Sequence, residues 1–228
     1  MVETPDLPSI FFYILVNGLP TTLLLTALGL LGGFVLGLSL AIMRVYGGIE
    51  LGWIASAYEK VLRGIPLLIL ISIFVFGIPG IFWFIDPLMR PFFGVILALG
   101  LRSGAYQSQL FRGAILSVDP GQMMAARALG MNQFQAFRHI VLPQALRLAI
   151  PSWSNEYAVV IKDSSYAYGF GIIEMLKVAF RVSANYPLLW APTMVVVAII
   201  YFIFTFPITK MFGERQTKKL KKLGMGGD

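Results

Sequence analysis

Apolar positions run in long blocks along this chain, separated by short polar connections, and they show neither the strict alternation of strands nor the one-sided stripe of soluble helices. A helix needs about 20 mainly apolar residues to cross a bilayer. Five stretches approach that length, residues 19–43, 53–78, 92–115, 145–161 and 188–212. The pattern predicts an all-α membrane protein of about five transmembrane helices, organised as a single membrane domain over residues 1–228 with a basic tail at 213–228.

The polar insert between the third and fourth blocks, residues 121–142, has its own helical logic. Good helix formers run from Gln122 to Leu129 and stop at Gly130, the residue type best suited to the left-handed conformation that closes a helix. Asn132 is a favoured N-cap for a second short helix. Phe134 and Phe137, three apart, are expected to share a face, and Pro143 ends the segment or opens the next helix. The insert therefore predicts a helix-turn-helix outside the bilayer that offers small and apolar residues to a partner. An amphipathic loop resting on lipid headgroups fits the spacing equally well.

Met124-Ala125-Ala126, three residues, Gly130, nine residues and Ile140-Val141-Leu142-Pro143 resemble the cytoplasmic EAA loop of ABC-importer permeases. In that family Glu-Ala-Ala, three residues, Gly, nine residues and Ile-x-Leu-Pro form the coupling helix that docks on the ATPase subunit. Met124 stands where the family has glutamate. The resemblance extends to the polar amino-acid branch of these permeases through Arg63-Gly64-Ile65-Pro66-Leu67-Leu68, Glu59, Gly104-Ala105-Tyr106 and Arg112-Gly113-Ala114-Ile115. It continues through Gly121-Gln122, Pro143-Gln144-Ala145, Pro151, Asn155 and Lys162-Asp163-Ser164-Ser165, with Gln109 where the branch usually has Glu. In all it covers roughly residues 17–180.

Composition agrees with a lipid solvent, since 57% of the 228 residues are hydrophobic and only 13% charged. The acidic start of the chain and the full spanning length of the first block predict a retained first helix rather than a cleaved signal. The absence of cysteine excludes disulfides and thiolate metal sites, and one histidine, His139, excludes an all-histidine site within one chain. No metal site is predicted, and His139 reads as a surface or contact residue.

A net charge of +7 raises the question of nucleic acid, but the distribution of the charge points to lipid. Arg44, Lys60 and Arg63 flank one connection, Arg112, Arg127, Arg138 and Arg147 another, and Lys210, Arg215, Lys218, Lys219, Lys221 and Lys222 fill the tail. The N-terminus carries Glu3 and Asp6, and the second connection only Asp86 and Arg90. The positive-inside rule puts the N-terminus outside and the C-terminus in the cytoplasm, as five crossings require. The basic tail needs no acidic partner beyond anionic lipid.

Charged residues at membrane depth are the strongest functional pointers, because each is expensive there unless paired or hydrated. Arg102 sits midway along the third block. Glu156 and Asp163 are seven apart, so two helical turns place them on one face about 10 Å apart along the axis. A site with both signs suits an amino acid; a permanent pair that holds helices together is the alternative. Asn155-Glu156 and Lys162-Asp163 match the pattern of branch members that carry cationic substrates. Gly29, Gly33 and Gly37, spaced by four, allow a close helix approach, either within the chain or between subunits.

No Gly-x4-Gly-Lys-Ser/Thr phosphate loop occurs, so the chain has no sequence basis for binding ATP. The resemblance implies an inner-membrane permease of an ATP-driven uptake system for polar amino acids, with cationic ones favoured. The permease would hold no cofactor, with ATP and Mg on the partner ATPase. Partners would be two ATPase subunits, a second permease chain and an external substrate-binding protein, but not nucleic acid. Glu156, Asp163, Arg102 and Asn155 are the candidate substrate residues; Met124, Ala125, Ala126 and Gly130 are the candidate coupling residues. An intramembrane enzyme would need a nucleophile or metal companion for Glu156 and Asp163, and none is evident. A stand-alone ion-coupled secondary transporter of amino acids is the second reading.

Overall fold

The computed structural model describes residues 5–77 and 82–214, and among these it is helical with no strand. The basic residues of the tail beyond Glu214, the end of the second expected block at Ile78, and Glu3 lie outside the described residues. Helix α1 (Leu7–Tyr46) is 40 residues long, about 60 Å at 1.5 Å per residue. It starts twelve residues earlier than expected because Asp6 caps it, accepting from the Ser9 N–H at 3.0 Å, and Pro8 occupies the first turn.

The second block is not one continuous helix. It is split into α2 (Gly48–Gly64) and α3 (Leu67–Ser72), the latter continued by a π-turn to Gly77, and the two halves are bent by 101°. Pro66 explains the break. Its ring disfavours helical geometry at Ile65, whose ψ is 127°, and it has no N–H for the helical ladder.

Helix α4 (Arg90–Leu116) fulfils the third block. Two short helices follow, α5 (Pro120–Ala128) and α6 (Gln133–Ala136), then a π-segment to Val141. Helix α7 (Leu142–Asp163) has Pro143 in its first turn, so that proline opens the helix, and a 3-10 segment to Phe170 continues from it. Helix α8 (Met175–Asn185) was not expected. It is amphipathic and too short to register as a span, burying Met175, Val178, Ala179 and Val182. Helix α9 (Trp190–Ile208) with its π-continuation to Glu214 is the fifth block.

By length and apolarity alone, α1 and residues 187–213 can each cross a membrane, and the bent α2–α3 pair passes the same test only with its two halves taken together as one span. Helices α4 and α7, of 27 and 22 residues, are long enough but carry the polar groups described below. Their directions fix the order of crossings. A Cβ on Gly29, Gly33 or Gly37 would meet Leu99, Ser103 or Gln107 respectively, so α1 and α4 run parallel. Glu156 meets Ser103 and Trp153 meets Gln107, which makes α7 antiparallel to α4. Tyr157 donates to the Phe204 carbonyl, and Gly213 approaches Ser154, so α9 returns against α7. Parallel α1 and α4 require α2–α3 to carry the chain back between them.

The glycine stripe is thus used inside the chain. The added Cβ would lie 2.6 Å from Gln107 Nε2 at Gly33 and 2.7 Å from Gln107 Cβ at Gly37, and α1 with α4 forms the most extensive helix pair. Close approach lets Gln107 Nε2 donate to the Leu30 carbonyl at 3.2 Å. At one end of the bundle Ile10 and Ile14 pack with Met175, Val178, Val197 and Ile200; at the other, Ala41, Phe111 and Ile115 pack with Phe137, Val141 and Ala145.

Candidate functional site

Two places collect chemistry: a polar seam between α4 and α7, and the α5–α6 loop. In the seam, Arg102 Nη1 forms an ion pair with Asp163 Oδ2, and both side chains are about four-fifths buried. Two turns back along α7, Ser103 donates to Glu156 Oε1 at 2.7 Å, Gln107 donates to Ser103 at 2.9 Å, and Trp153 Nε1 donates to Gln107 Oε1 at 2.9 Å. Each donor has its acceptor, so the buried Glu156 carboxylate is held without a cation in contact. Seven-residue spacing along α7 puts Glu156 and Asp163 on one face, as their positions in sequence predict. The structure brings Arg102, Asp163 and Glu156 together, but leaves Asn155 on an exposed face of α7.

Tyr106, one turn beyond Arg102 on α4, extends the seam toward α2. The guanidinium carbons of Arg102 and Arg63 each lie 5.0 Å from the centre of its ring. Arg63, counted in sequence among the cations flanking a connection, instead sits at the α2–α3 break and faces this seam. Farther toward the C-terminal end of α4, the fully buried Glu59 of α2 accepts from Arg44, from Ser108 at 2.5 Å and from Gln109. The amide at Gln109 is a donor to Glu59; a carboxylate there would set two like charges in contact. Sequence reasoning found Glu59, Tyr106 and Gln109 only as motif letters, and it missed Ser103, Gln107 and Trp153. Ser103 and Gln107, polar and four apart on the helix of Arg102, were the available signal.

A further buried acid, Glu174, also went unnoticed. It caps α8 by accepting from the N–H groups of Leu176 at 2.9 Å and Lys177 at 2.7 Å, and Tyr201 donates to it at 3.2 Å. Lying in the connection between α7 and α9, it has its pKa raised by burial, against the pull of those hydrogen bonds.

The loop follows its sequence logic closely. Gly130 has φ +85°, its N–H bonds to Arg127 O at 3.0 Å, and the Met131 N–H bonds to Ala126 O at 3.2 Å. This is the paired closure of a Schellman C-terminus. Asn132 and Gln135 form a reciprocal capping box. Ala126 is buried, whereas Met124 and Ala125 are exposed along with Leu129 and Phe134. The expected shared face of Phe134 and Phe137 is not formed. Phe137 is buried with its ring edge-on to Tyr46 at 5.2 Å, and Phe134 is exposed, because α6 gives way to the wider π-turn after one turn. A cavity of about 460 Å³ opens beside the loop, lined in part by Tyr46, Leu116, Pro120, Met124, Arg127 and Gln133. His139 is exposed, with Nδ1 2.9 Å from the Gln135 carbonyl.

Residues 33–219 match the family model described as the binding-protein-dependent transport system inner membrane component. The chain belongs to this family. Among curated relatives it is 33% identical over 194 residues to the probable amino-acid permease YxeN of Bacillus subtilis (strain 168), covering 85% of this chain and 86% of that one. It is 31% identical to the glutamine transport system permease GlnP of Escherichia coli (strain K12), covering 91% and 94%. With the nopaline transport system permease NocM of Agrobacterium fabrum (strain C58 / ATCC 33970) it shares 35% over 206 residues, 86% and 84% of the two chains. A chain of the crystal structure of an amino acid ABC transporter with histidines superposes with a TM-score of 0.77 at 28% identity, covering 95% of this chain and all of that one. A chain of the inward-facing MetNI methionine ABC transporter gives a TM-score of 0.72 at 21% identity over 92% and 97%, a likeness of fold. This permease is therefore a membrane-embedded transport subunit rather than an enzyme, and its family implies ATPase and substrate-binding partners.

Proposed function

We propose that this permease carries polar amino acids inward, with cationic ones favoured, as half of a pathway completed by a second permease chain. The observation that carries the reading is the seam itself: Glu156 and Asp163 on one face of α7, with a single cation, Arg102, in contact with one of them. An excess of acid over paired base at membrane depth suits a substrate that brings its own positive charge. The named relatives that transport glutamine and nopaline support the amino-acid class. Arg102 would then position Asp163, and Asn155, exposed on α7, would face the partner chain or the pathway.

The loop supplies the coupling. Met124, Ala125 and the Gly130 turn would dock on an ATPase subunit that holds ATP and Mg, while Ala126 anchors the loop to the bundle. Closure of two ATPases would draw the two loops together and rock the spans between inward-open and outward-open forms, a rigid-body change around a fixed site. The loop and the C-terminus would lie in the cytoplasm and the N-terminus outside, where a binding protein delivers substrate.

Uptake into proteoliposomes that hold the full complex and one binding protein tests this. Glu156→Gln should reduce transport of L-arginine at least about tenfold more than transport of L-glutamine. Equal losses would remove the cationic preference, and ATP-independent uptake would remove the coupled mechanism. In the cysteine-free background, an impermeant thiol reagent applied outside should label a cysteine at Ser9 and spare one at Ser117; the reverse pattern would overturn the orientation.

A further inference from the structure

The seam binds the positive end of an amino acid in the reading above, which leaves the negative end without a receptor. Arg102 is a poor candidate because Asp163 already neutralises it and fixes its guanidinium. Among the described residues the other acids nearby contact groups other than Arg63: Glu156 accepts from Ser103, and Glu59 from Arg44, Ser108 and Gln109. Arg63 has none of them. Among the described residues its guanidinium has no acid partner; it rests on the face of Tyr106, and Arg63 is an exposed residue.

Geometry makes this cation usable. Arg63 and Arg102 rest on one ring, each 5.0 Å from its centre, so their guanidinium carbons are no more than twice that distance apart. That bound keeps Arg63 within reach of the groups around Arg102. Stacking on Tyr106 restrains a long side chain without using its N–H donors, so the planar fork stays available for two parallel hydrogen bonds to a carboxylate. Arg63 also lies in the last turn of α2, next to the bend at Pro66, where a change in the α2–α3 angle would carry it toward or away from α4.

We infer that Arg63, held by Tyr106, is the receptor for the substrate α-carboxylate, while Arg102 positions Asp163 for the opposite end. The inference rests on the amino-acid reading given above. It assigns Arg63 to a zwitterion-reading role common to all substrates, and leaves preference among side chains to Glu156 and Asp163.

The test is direct binding to the permease–ATPase complex in nanodiscs, without the binding protein, using L-arginine, L-glutamine and their carboxamides as probes. The intact complex should bind each amino acid at least about tenfold more tightly than its amide, as expected for loss of a charge-assisted pair. Arg63→Gln should weaken both amino acids about tenfold or more and leave the amides unchanged, bringing the ratio near one. Arg63→Lys should recover part of it. Tyr106→Leu, which keeps both arginines, should lower the ratio without abolishing it. Glu156→Gln should alter arginine against glutamine and keep the acid-to-amide ratio. If Arg63→Gln leaves that ratio intact, or weakens acids and amides alike, the assignment fails while the amino-acid reading stands. Absence of binding by all four probes to the intact complex overturns both.

Discussion

Arg102 and Asp163 pair across the α4–α7 interface, 61 residues apart in sequence, and this contact converts two intramembrane charges into one fixed dipole. Removing one partner leaves the other charge partly buried and alone. Asp163→Asn is expected to destabilise by about 3 kcal/mol, the low end for a broken buried pair because both side chains keep some exposure. Arg102→Gln combined with Asp163→Asn should restore much of the thermal stability in detergent, yet not the transport of cationic substrate. If the double variant is as unstable as the single one, the pair is not the reason for the loss.

The Gly130 turn gives a separate handle on coupling. A side chain there has open space around it, so any effect of substitution must come from the backbone, held at φ +85°. Gly130→Val places a β-branched residue where such residues are strained by about 1–2 kcal/mol. Membrane insertion and substrate binding should be normal, with association to the ATPase or ligand-stimulated hydrolysis lost. Gly130→Asn should retain most coupling, since Asn tolerates the left-handed region. Equal function in the Val and Asn variants would show that the turn does not transmit the stroke.

Local chemistry was legible in sequence wherever its cause was local. Gly130, Asn132 and Pro143 behave as their backbone preferences dictate, and the spacing of Glu156 and Asp163 alone sets their shared face. Pro66 was visible, but not the 101° bend that follows, which depends on what α2 and α3 each pack against. Charge patterning grouped Arg63 with the connection cations because a linear count cannot show which guanidinium rests on the Tyr106 ring. Helix α8 was hidden for a related reason. Its eleven residues are a fraction of a span, and the signal lay in the positions of Met175, Val178, Ala179 and Val182 rather than in overall apolarity. The acid that caps it, Glu174, reads as a loop residue until Tyr201 and the α8 backbone close around it.

How α8 is held against the bundle yields the last prediction. Gly18 on α1 faces the start of α8 so closely that a Cβ there would lie 2.5 Å from the Met175 Cα and 2.8 Å from its nitrogen. Both atoms are backbone, in the helical turn that Glu174 caps, so no side-chain rotation can relieve the overlap. The Met175 N–H also bonds to Thr22 Oγ1 at 3.2 Å, one turn along α1, and displacement of α8 would break it. Gly18→Ala should therefore destabilise by about 2–3 kcal/mol, in the range of overpacked cores, read as a lower unfolding midpoint and faster proteolysis near residues 171–186. Gly113→Ala is the matched control, because on α4 nothing lies within 4 Å of its added Cβ and alanine is the better helix former. That variant should be unchanged or more stable by up to about 1 kcal/mol. Should the two substitutions behave alike, the contact of α1 with the α8 backbone is not tight in the folded protein, and the packing described for the Ile10, Ile14 and Met175 cluster must be loosened accordingly.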